Sequence, residues 1–219
     1  MRKIIESTLV SADGVIGDPP RWAMEYRDAE VTDEALERLA SADAMLMGRG
    51  TYELFSAVWP GQSGEFADRM NSIRKYVFSA TLDEAAWNNS VILRGDAVAE
   101  VTRLKQQDGG ELALYGHGRL AQALLEHGLV DELRLSVHPV LVGSGQVLFR
   151  DGQKQALEFA GAKSFGTGVV VLTYHPAAQP GLAGWNFRRA RDLVIANGEP
   201  QAGRCRGERK LWPRGSARR

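Results

Sequence analysis

The chain has 219 residues, which suits one domain with a substantial core and a short appendage. Its formal net charge is zero, yet residues 1–179 carry 17 Lys or Arg against 24 Asp or Glu, and residues 180–219 carry 10 against 3. The excess of acidic residues over 1–179 argues against nucleic-acid binding by this part of the chain. The single cysteine excludes an internal disulfide. No apolar run reaches the roughly 20 residues that span a bilayer.

The two ends of the chain add to this picture. The amino-terminal segment 1–6 lacks the uninterrupted apolar stretch of a signal peptide, so we expect a cytoplasmic protein with no membrane partner. The charge shift divides the chain into a domain over 1–179 and a basic tail over 180–219. One interpretation of the tail is a basic arm for nucleic acid or a membrane surface. The other is a poorly ordered tail, or an extension translated past the original stop, and the scattered Gly and Pro favour this second interpretation.

Strands and helices alternate through the first two thirds of the chain. The patterns predict strands at 3–10, 44–47, 75–79, 90–94 and 112–115, and helices at 32–42, 51–58, 65–73, 96–107 and 120–127. Thr32 is the expected N-cap of the first helix. The chain then ends in a run of strands, predicted at 133–142, 157–164 and 169–174.

This order of elements predicts an α/β three-layer sandwich. Alternation indicates a mainly parallel sheet with helices on both faces. The closing strands, which are joined by short turns, indicate antiparallel additions at one edge. Because parallel strands end at the same edge of a sheet, the turns after the first five strands should converge there, where ligands of such folds bind.

Two glycine turns stand directly behind apolar strands and directly ahead of helices. They are Gly48-Arg49-Gly50-Thr51 and Gly116-His117-Gly118-Arg119-Leu120. A helix N-terminus exposes unpaired N–H groups and the positive end of its dipole, and glycine lets a ligand approach the backbone closely. The pair predicts a site for a molecule with several phosphates, and therefore a dinucleotide-dependent enzyme.

Basic residues near these turns favour NADPH over NADH. Arg49 stands at a helix start, where its guanidinium could grip a phosphate through two hydrogen bonds. Ser79, Arg94 and Arg119 could add hydroxyl and cationic contacts, which suit a 2′-phosphate. The acidic residue that would bind a free ribose hydroxyl is missing about 20 positions after the second turn. The G-x-G-x-x-A pattern of 116–121 also lies on a late strand, which disfavours a Rossmann dehydrogenase.

Other chemistries find no support in the sequence. The four histidines lack an H-x-x-x-H spacing or a cysteine partner, so no metal is expected. There is no G-x-S-x-G nucleophile turn and no phosphate-binding loop of the ATPase type.

Five motifs in chain order resemble the dihydrofolate-reductase-like superfamily. They are Ser11-Ala12-Asp13-Gly14-Val15-Ile16-Gly17, Leu46-Met47-Gly48-Arg49-Gly50-Thr51-Tyr52-Glu53, Lys75-Tyr76-Val77-Phe78-Ser79-Ala80-Thr81-Leu82, Glu126-His127-Gly128-Leu129-Val130-Asp131-Glu132-Leu133 and His138-Pro139-Val140-Leu141-Val142-Gly143-Ser144-Gly145. The chain is similar to stand-alone relatives of the reductase domain of the riboflavin-biosynthesis bifunctional deaminase/reductase, over residues 1 to about 176. The resemblance implies an NADPH-dependent reductase that forms a homodimer.

The resemblance also implies roles for the matching positions. Ile16 and Gly17 would line the nicotinamide, and Ser79 and Arg94 would flank the adenine and the 2′-phosphate. The first glycine turn would hold the adenosine-side phosphates through Gly48, Arg49, Gly50 and Thr51. The second would cradle the pyrophosphate through Gly116, His117, Gly118, Arg119 and Leu120.

The substrate end of the site is less defined. Asp13 is the candidate catalytic residue, as the polar group expected close to the nicotinamide, with turn formation as its alternative role. Trp22 and Tyr115 are candidate walls of the substrate pocket, and core packing is the alternative for Trp22. Tyr115 stands where the riboflavin-pathway reductase would show a Glu.

A second departure concerns the proton donor. No position clearly matches the carboxylate with which dihydrofolate reductase protonates its pterin; Glu25 and Asp28 are the nearest, and a solvated charge flanking a helix explains either better. We therefore expect reduction of a small heterocyclic or carbonyl compound, pterin-like or riboflavin-precursor-like. A non-catalytic nucleotide-binding module or sensor on the same fold is the alternative.

Overall fold

The computed structural model describes residues 1–148 and 154–177. In chain order its strands and α-helices are β1 (Ile4–Ser11), α1 (Ala29–Ser41), β2 (Ala42–Gly48), α2 (Arg49–Val58), α3 (Glu65–Ser72), β3 (Arg74–Phe78), β4 (Ser90–Leu93), α4 (Ala97–Gln106), β5 (Glu111–Tyr115), α5 (Arg119–Glu126), β6 (Glu132–His138), β7 (Leu157–Ser164) and β8 (Val170–Pro176). The basic tail predicted over 180–219 lies outside these residues.

The strands form one sheet, which confirms the predicted α/β sandwich. Its eight strands follow the order β4-β3-β2-β5-β1-β6-β8-β7. Every neighbouring pair from β4 to β6 is parallel, whereas β8 runs antiparallel to both β6 and β7. The closing strands are therefore the antiparallel edge that the sequence predicted, and the first six strands end along one edge of the sheet.

Both faces of the sheet carry helices, because successive residues of a buried strand point to opposite sides. In β2, Leu46 packs with residues of α4 and α5 on one face, while Met45 and Met47 pack with residues of α1, α2 and α3 on the other. All three side chains are fully buried. Burial of each contributes about 1.5–3 kcal/mol, so the core of both layers is built on this strand.

The start of α1 differs from the prediction. The helix begins at Ala29, and Asp28 is its N-cap: the Asp28 carboxylate accepts a hydrogen bond from the N–H of Val31 at 2.9 Å. The Thr32 hydroxyl instead donates to the carbonyl of Asp28 at 2.7 Å. Thr32 was therefore the wrong cap, because an earlier carboxylate satisfies the first free N–H groups.

Among the described residues, no helix is long and apolar enough to span a membrane.

β6 ends at His138 rather than at residue 142, because Pro139 has no N–H for the ladder. The chain instead runs along the turn that follows β1. The N–H of Ile16 donates to the carbonyl of Gln146 at 2.8 Å, and the N–H of Leu148 donates to the carbonyl of Gly14 at 2.9 Å. The segment after β6 thus supports the segment after β1 at the edge where the first six strands end.

Candidate functional site

The two glycine turns meet at the carboxyl edge of the sheet. A Cβ atom placed on Gly48 would lie 3.8 Å from Cβ of Leu120, and one placed on Gly116 would lie 4.0 Å from Oγ1 of Thr51. Gly48 caps α2 and Gly118 caps α5, and neither helix start receives a side-chain cap. By contrast, Asp28 and Asp96 cap α1 and α4 with their carboxylates. Two helix N-termini with uncapped N–H groups therefore lie side by side.

The second turn depends on the backbone of Gly116. Its φ is +77°, a left-handed conformation that glycine adopts without a steric penalty. Its N–H donates to the carbonyl of Ser7 at 2.9 Å, which ties the turn to the neighbouring strand β1. The chain can then bend directly from β5 into α5 beside the first glycine turn.

A buried acid–imidazole pair lies behind the second turn. Oε1 of Glu6 is 2.6 Å from Nδ1 of His117, and both side chains are almost completely shielded, at 0% and 2% exposure. Because the His117 ring points to Glu6, His117 can meet a ligand of the turn only through its backbone. Among the described residues, no three His, Cys, Asp or Glu side chains lie close enough to hold a metal ion.

The sequence interpretation missed Glu6. A carboxylate at a core-facing position of an apolar strand was the available signal, since such a residue requires a partner. The pair joins β1 to the turn after β5, so it supports the turn from within the protein. Oε2 of Glu6 is buried without a hydrogen-bond partner in the part of the chain that the structure describes.

The adenosine end of the predicted site is a polar loop after β3. The Ser79 hydroxyl accepts from the N–H of Leu82 at 2.9 Å, which shapes this loop. Arg94, at the end of β4, donates to the carbonyl of Leu82 at 2.8 Å and to that of Ala80 at 3.3 Å. Ser79 and Arg94 therefore contact the same loop, and the Arg94 side chain is exposed; their contacts with the adenine and the 2′-phosphate stay a prediction.

Arg49 reaches the same loop from the first glycine turn. Its guanidinium donates to the Thr81 hydroxyl at 2.6 Å and to the Glu53 carboxylate at 2.6 Å. The Arg49 and Glu53 side chains are about half exposed, at 49% and 48%. Such an exposed pair contributes only about 0–1 kcal/mol, so Glu53 competes weakly with a phosphate. Arg119, the first residue of α5, is also exposed at this edge.

Asp13 links the turn after β1 to the segment after β6. Its carboxylate accepts from the Ser11 hydroxyl at 2.5 Å, the N–H of Gly143 at 2.6 Å and the N–H of Val142 at 3.1 Å. These hydrogen bonds lower the pKa of Asp13 to about 2, and the one from the Ser11 hydroxyl has the largest effect. Asp13 is ionised at neutral pH, so it acts as an acceptor and not as a proton donor. Its proximity to the nicotinamide stays a prediction.

The predicted nicotinamide side lies on this supported segment. Ile16 is half-buried against a cluster that includes Val10. The carbonyl of Gly17 accepts from Nε1 of Trp22 at 2.8 Å. The Trp22 ring is 7% exposed and meets the His138 ring edge-on, with 5.4 Å between centroids. Trp22 therefore holds the loop that carries Ile16 and Gly17, and its contact with a substrate stays a prediction.

Tyr115 is the last residue of β5, directly before the second glycine turn, and it lies on the face of the sheet that α1 covers. Its ring packs against Phe55, with 6.0 Å between centroids, and burial raises the pKa of its hydroxyl to about 12. Tyr115 lines a small cavity together with Ser7, Arg38 and Arg134. Tyr115 thus forms part of a wall next to the second glycine turn, whereas Trp22 is absent from the lining of this cavity.

The fold and this edge define a dihydrofolate-reductase-like α/β sandwich. The chain belongs to the RibD C-terminal domain family, whose model matches residues 2–171. It is 33% identical over 183 residues to the uncharacterized protein YyaP of Bacillus subtilis (strain 168), covering 80% of this chain and 95% of that protein. It is 27% identical over 175 residues to the uncharacterized protein YwjB of the same organism, covering 77% and 95%.

Solved structures share the fold, which confirms the resemblance predicted from the motifs. A putative riboflavin biosynthesis protein from Shewanella sp. PV-4 gives a TM-score of 0.65 at 20% identity, over 80% of this chain and 99% of that one. A pyrimidine reductase-like protein from Corynebacterium diphtheriae gives 0.62 at 12%, over 81% and 93%. A deaminase/5-amino-6-(5-phosphoribosylamino)uracil reductase from Thermotoga maritima gives 0.58 at 14%, over 80% and 57%.

Proposed function

We propose that the protein is an NADPH-dependent reductase of a small heterocyclic or carbonyl compound. The observation that carries the proposal is the adjacency of the two glycine-capped helix starts, Gly48 beside Leu120 and Gly116 beside Thr51. Each start offers unpaired N–H groups and partial positive charge, so the two together suit linked phosphates. Membership of the RibD C-terminal domain family supports the same activity.

The residues at this edge fit the parts of the cofactor. Gly48, Gly50 and Thr51 would hold the adenosine-side phosphates, and the 116–120 turn would hold the pyrophosphate. The exposed guanidinium groups of Arg49 and Arg94 converge on the loop after β3, where they would hold the 2′-phosphate. This cationic loop is the reason to propose NADPH over NADH.

Bound NADPH would supply the hydride. The protein supplies position: Ile16 and Gly17 would face the nicotinamide on a segment that Asp13 and Trp22 hold in place. Tyr115, which directly precedes the second glycine turn, would form the opposite wall, and its hydroxyl would donate a hydrogen bond to a substrate oxygen or nitrogen. Orientation in such a site can account for much of a rate enhancement.

Replacement of Arg49 tests the cofactor. Arg49→Ala should raise the Kd for NADPH by about tenfold or more, because a hydrogen bond to a charged group contributes about 1.5–3 kcal/mol, and should change the Kd for NADH less. Arg103→Ala, which removes an exposed arginine from the surface of α4, is the matched control. Both constants can be measured by isothermal titration calorimetry. Equal weakening of NADPH and NADH would remove the argument for the 2′-phosphate.

The alternative is a non-catalytic nucleotide sensor on the same fold. The three hydrogen bonds that the Asp13 carboxylate accepts within the protein favour it, since they give the candidate catalytic residue a structural role. NADPH oxidation with a panel of pterins, flavin precursors and carbonyl compounds separates the two. Turnover of any member supports the reductase, and tight NADPH binding without any turnover supports the sensor.

We further propose that the protein acts as a homodimer, which the resemblance to riboflavin-type reductases implies. Sedimentation equilibrium of the full chain tests this directly. A mass near twice the 24.0 kDa of one chain is expected, and a monomer over the whole concentration range would contradict it.

A further inference from the structure

β7 is an exposed edge strand of the sheet. It follows β8 at one end of the strand order, so one side of its backbone has no neighbouring strand among the described residues. Six of its eight residues are exposed, whereas β4, the strand at the other edge, has four residues and none of them is exposed. A long open edge is a template for pairing with another chain, and a short edge strand is a common protection against it. β7 lacks the short length that protects β4.

The hydrogen bonds at the carboxyl end of β7 show which backbone groups point away from β8. The N–H of Phe165 donates to the carbonyl of Val169, directly before β8, at 2.9 Å. The backbone groups of successive strand residues point alternately to the two sides of the strand. Since those of Phe165 face β8, those of Ser164 and Ala162 point outward.

The amino end of β7 extends this outward row. The carbonyl of Ala156 accepts from the N–H of Ala177 at 2.9 Å, so the backbone groups of Leu157 and Phe159 point outward. The register with β8 shifts after Phe159, which makes Ala160 the extra residue of a β-bulge. Within the described part of the chain, residues 157–164 make no backbone hydrogen bond outside the ladder with β8. The outward row therefore consists of residues 157, 159, 162 and 164.

The outward row is complementary to itself in the antiparallel direction, because its four residues are symmetric about the midpoint of β7. A second copy placed about a twofold axis at this midpoint would set Leu157 opposite Ser164 of the copy. Phe159 would then stand opposite Ala162 of the copy. In both pairs all the backbone groups point toward the partner strand, so each pair would exchange both of its N–H···O=C hydrogen bonds. A self-complementary contact of this kind closes as a symmetric dimer.

The charged side chains of β7 match in the same register. Glu158 would stand opposite Lys163 of the second copy, in a pair without backbone hydrogen bonds, where side chains are closest. Glu158 and Lys163 lie on the same face of the sheet, since their partners in β8 are four positions apart. Lys163 also pairs with Glu34, but its side chain is 50% exposed and its ammonium group has three donors. The register that pairs the backbones therefore joins opposite charges as well.

An exposed aromatic residue lies on the other face of β7. Phe159 is 63% exposed, and its ring meets that of Tyr174 with 5.9 Å between centroids. Ala162 of the second copy, which would stand opposite Phe159, is small enough to leave room for the ring. Aromatic residues are enriched in protein interfaces, where their large apolar area is removed from water. Phe159 would add such an apolar contact to the backbone hydrogen bonds.

We propose that β7 pairs with β7 of a second copy of this chain, so that the two sheets become one continuous sheet. A second copy is the occupant because the backbone groups, the charges and Phe159 all match in one register. The inference rests on the homodimer proposed above and names its surface. It is independent of the cofactor site, because β1, β6 and β8 separate β7 from the strand that leads into the second glycine turn.

Replacement of Ala162 in the full-length protein tests the pairing. Ala162→Pro removes an outward N–H and leaves the ladder with β8 intact, and proline is tolerated on edge strands where the missing N–H faces away from the sheet. The dimer Kd, measured by sedimentation equilibrium, should rise about tenfold or more, because the symmetric contact loses this hydrogen bond twice. Ala162→Ser keeps the N–H and is the matched control, with a Kd like that of the unaltered protein.

Exchange of the charges tests the register. Glu158→Lys would place lysines opposite each other at two symmetric positions, so the dimer Kd at low salt should rise about fourfold or more. Glu158→Lys combined with Lys163→Glu restores opposite charges across the contact. The double variant should therefore dimerise more tightly than Glu158→Lys alone.

The outcomes separate this inference from the other proposals. A dimer that Ala162→Pro weakens and Ala162→Ser does not weaken supports the surface. If Ala162→Pro leaves the Kd unchanged, or if the double charge variant is no tighter than Glu158→Lys, the surface is wrong. If the unaltered chain is a monomer, the surface and the homodimer fail together, even where NADPH binds. Thermal unfolding shows whether each variant is folded, and the charge variants carry the test should Ala162→Pro fail to fold.

Discussion

Gly116→Ala should separate ligand binding from stability at the junction of the two glycine turns. Gly116 has φ of +77°, where an L-residue costs about 1–2 kcal/mol. Gly128, which follows α5, has φ of +65° and open space around it, so Gly128→Ala should cost the same. For a domain of this size, either variant should lower Tm by about 2–8 °C. The two substitutions therefore match in backbone strain.

Only the methyl group at Gly116 lies between the turns, 4.0 Å from Oγ1 of Thr51. It would keep a phosphate from the nearby N–H groups, and losing one charged hydrogen bond of about 1.5–3 kcal/mol would raise the Kd for NADPH about tenfold to a hundredfold. Calorimetric titration of the two variants with NADPH measures this difference, and thermal unfolding without ligand measures the strain. Equal Kd values in Gly116→Ala and Gly128→Ala would refute the placement of the phosphates.

Three further predictions concern buried or perturbed groups. Glu6→Ala should lower the free energy of unfolding by about 1–3 kcal/mol in urea denaturation, because it leaves the buried His117 ring without its carboxylate; an unchanged free energy of unfolding would contradict the pairing. The hydrogen bonds that lower the pKa of Asp13 to about 2 should stabilise the protein above the ordinary pKa of 3.8 and be lost as the pH falls through 2. An NMR titration that follows the Gly143 amide should show a midpoint near pH 2, and a midpoint near 4 would contradict the hydrogen bonds to Asp13. Burial raises the pKa of Tyr115 to about 12, so the contribution of this residue to the stability of the protein should persist up to pH 10 and decline between pH 10 and 12. Absorbance titration should show one late-ionising phenol in the unaltered protein that Tyr115→Phe lacks. If the two titration curves are the same above pH 10, the burial argument is refuted.

The local patterns of the sequence were sufficient for the architecture. Residues 44–47 of β2 form a continuous apolar run because both faces of the strand are buried there, and Gly48, Gly116 and Gly118 mark the points where strands pass into helices. The switch to short strands separated by glycine turns predicted the antiparallel edge. These features depend on residues within a few positions of each other, so no knowledge of the tertiary structure was needed.

The helix start at Asp28 shows where a local signal was read wrongly. Both Asp28 and Thr32 are good capping residues, and the apolar pattern that begins at Leu36 favoured the later one. The observed helix includes Val31, whose side chain packs near Phe165 and Val171 of the antiparallel edge. That contact spans more than a hundred residues of chain, so the pattern of the helix alone did not reveal its first turn.

The polar pair behind the second glycine turn was beyond sequence reasoning for the same reason. Glu6 and His117 are 111 positions apart, on β1 and in the turn after β5. The sequence shows Glu6 inside an apolar strand, which indicates that a partner must exist. Only the strand order, which places β1 between β5 and β6, identifies that partner. The pairing of Arg49 with Glu53, four positions apart on one helix, is the kind of contact that spacing does predict.

A crystal structure of the protein with NADPH tests the central claim most directly. We predict that the pyrophosphate lies against the backbone N–H groups at the starts of both α2 and α5, with the 2′-phosphate between Arg49 and Arg94. A cofactor that contacts only one of the two helix starts, or that binds away from the carboxyl edge of the sheet, would contradict the account.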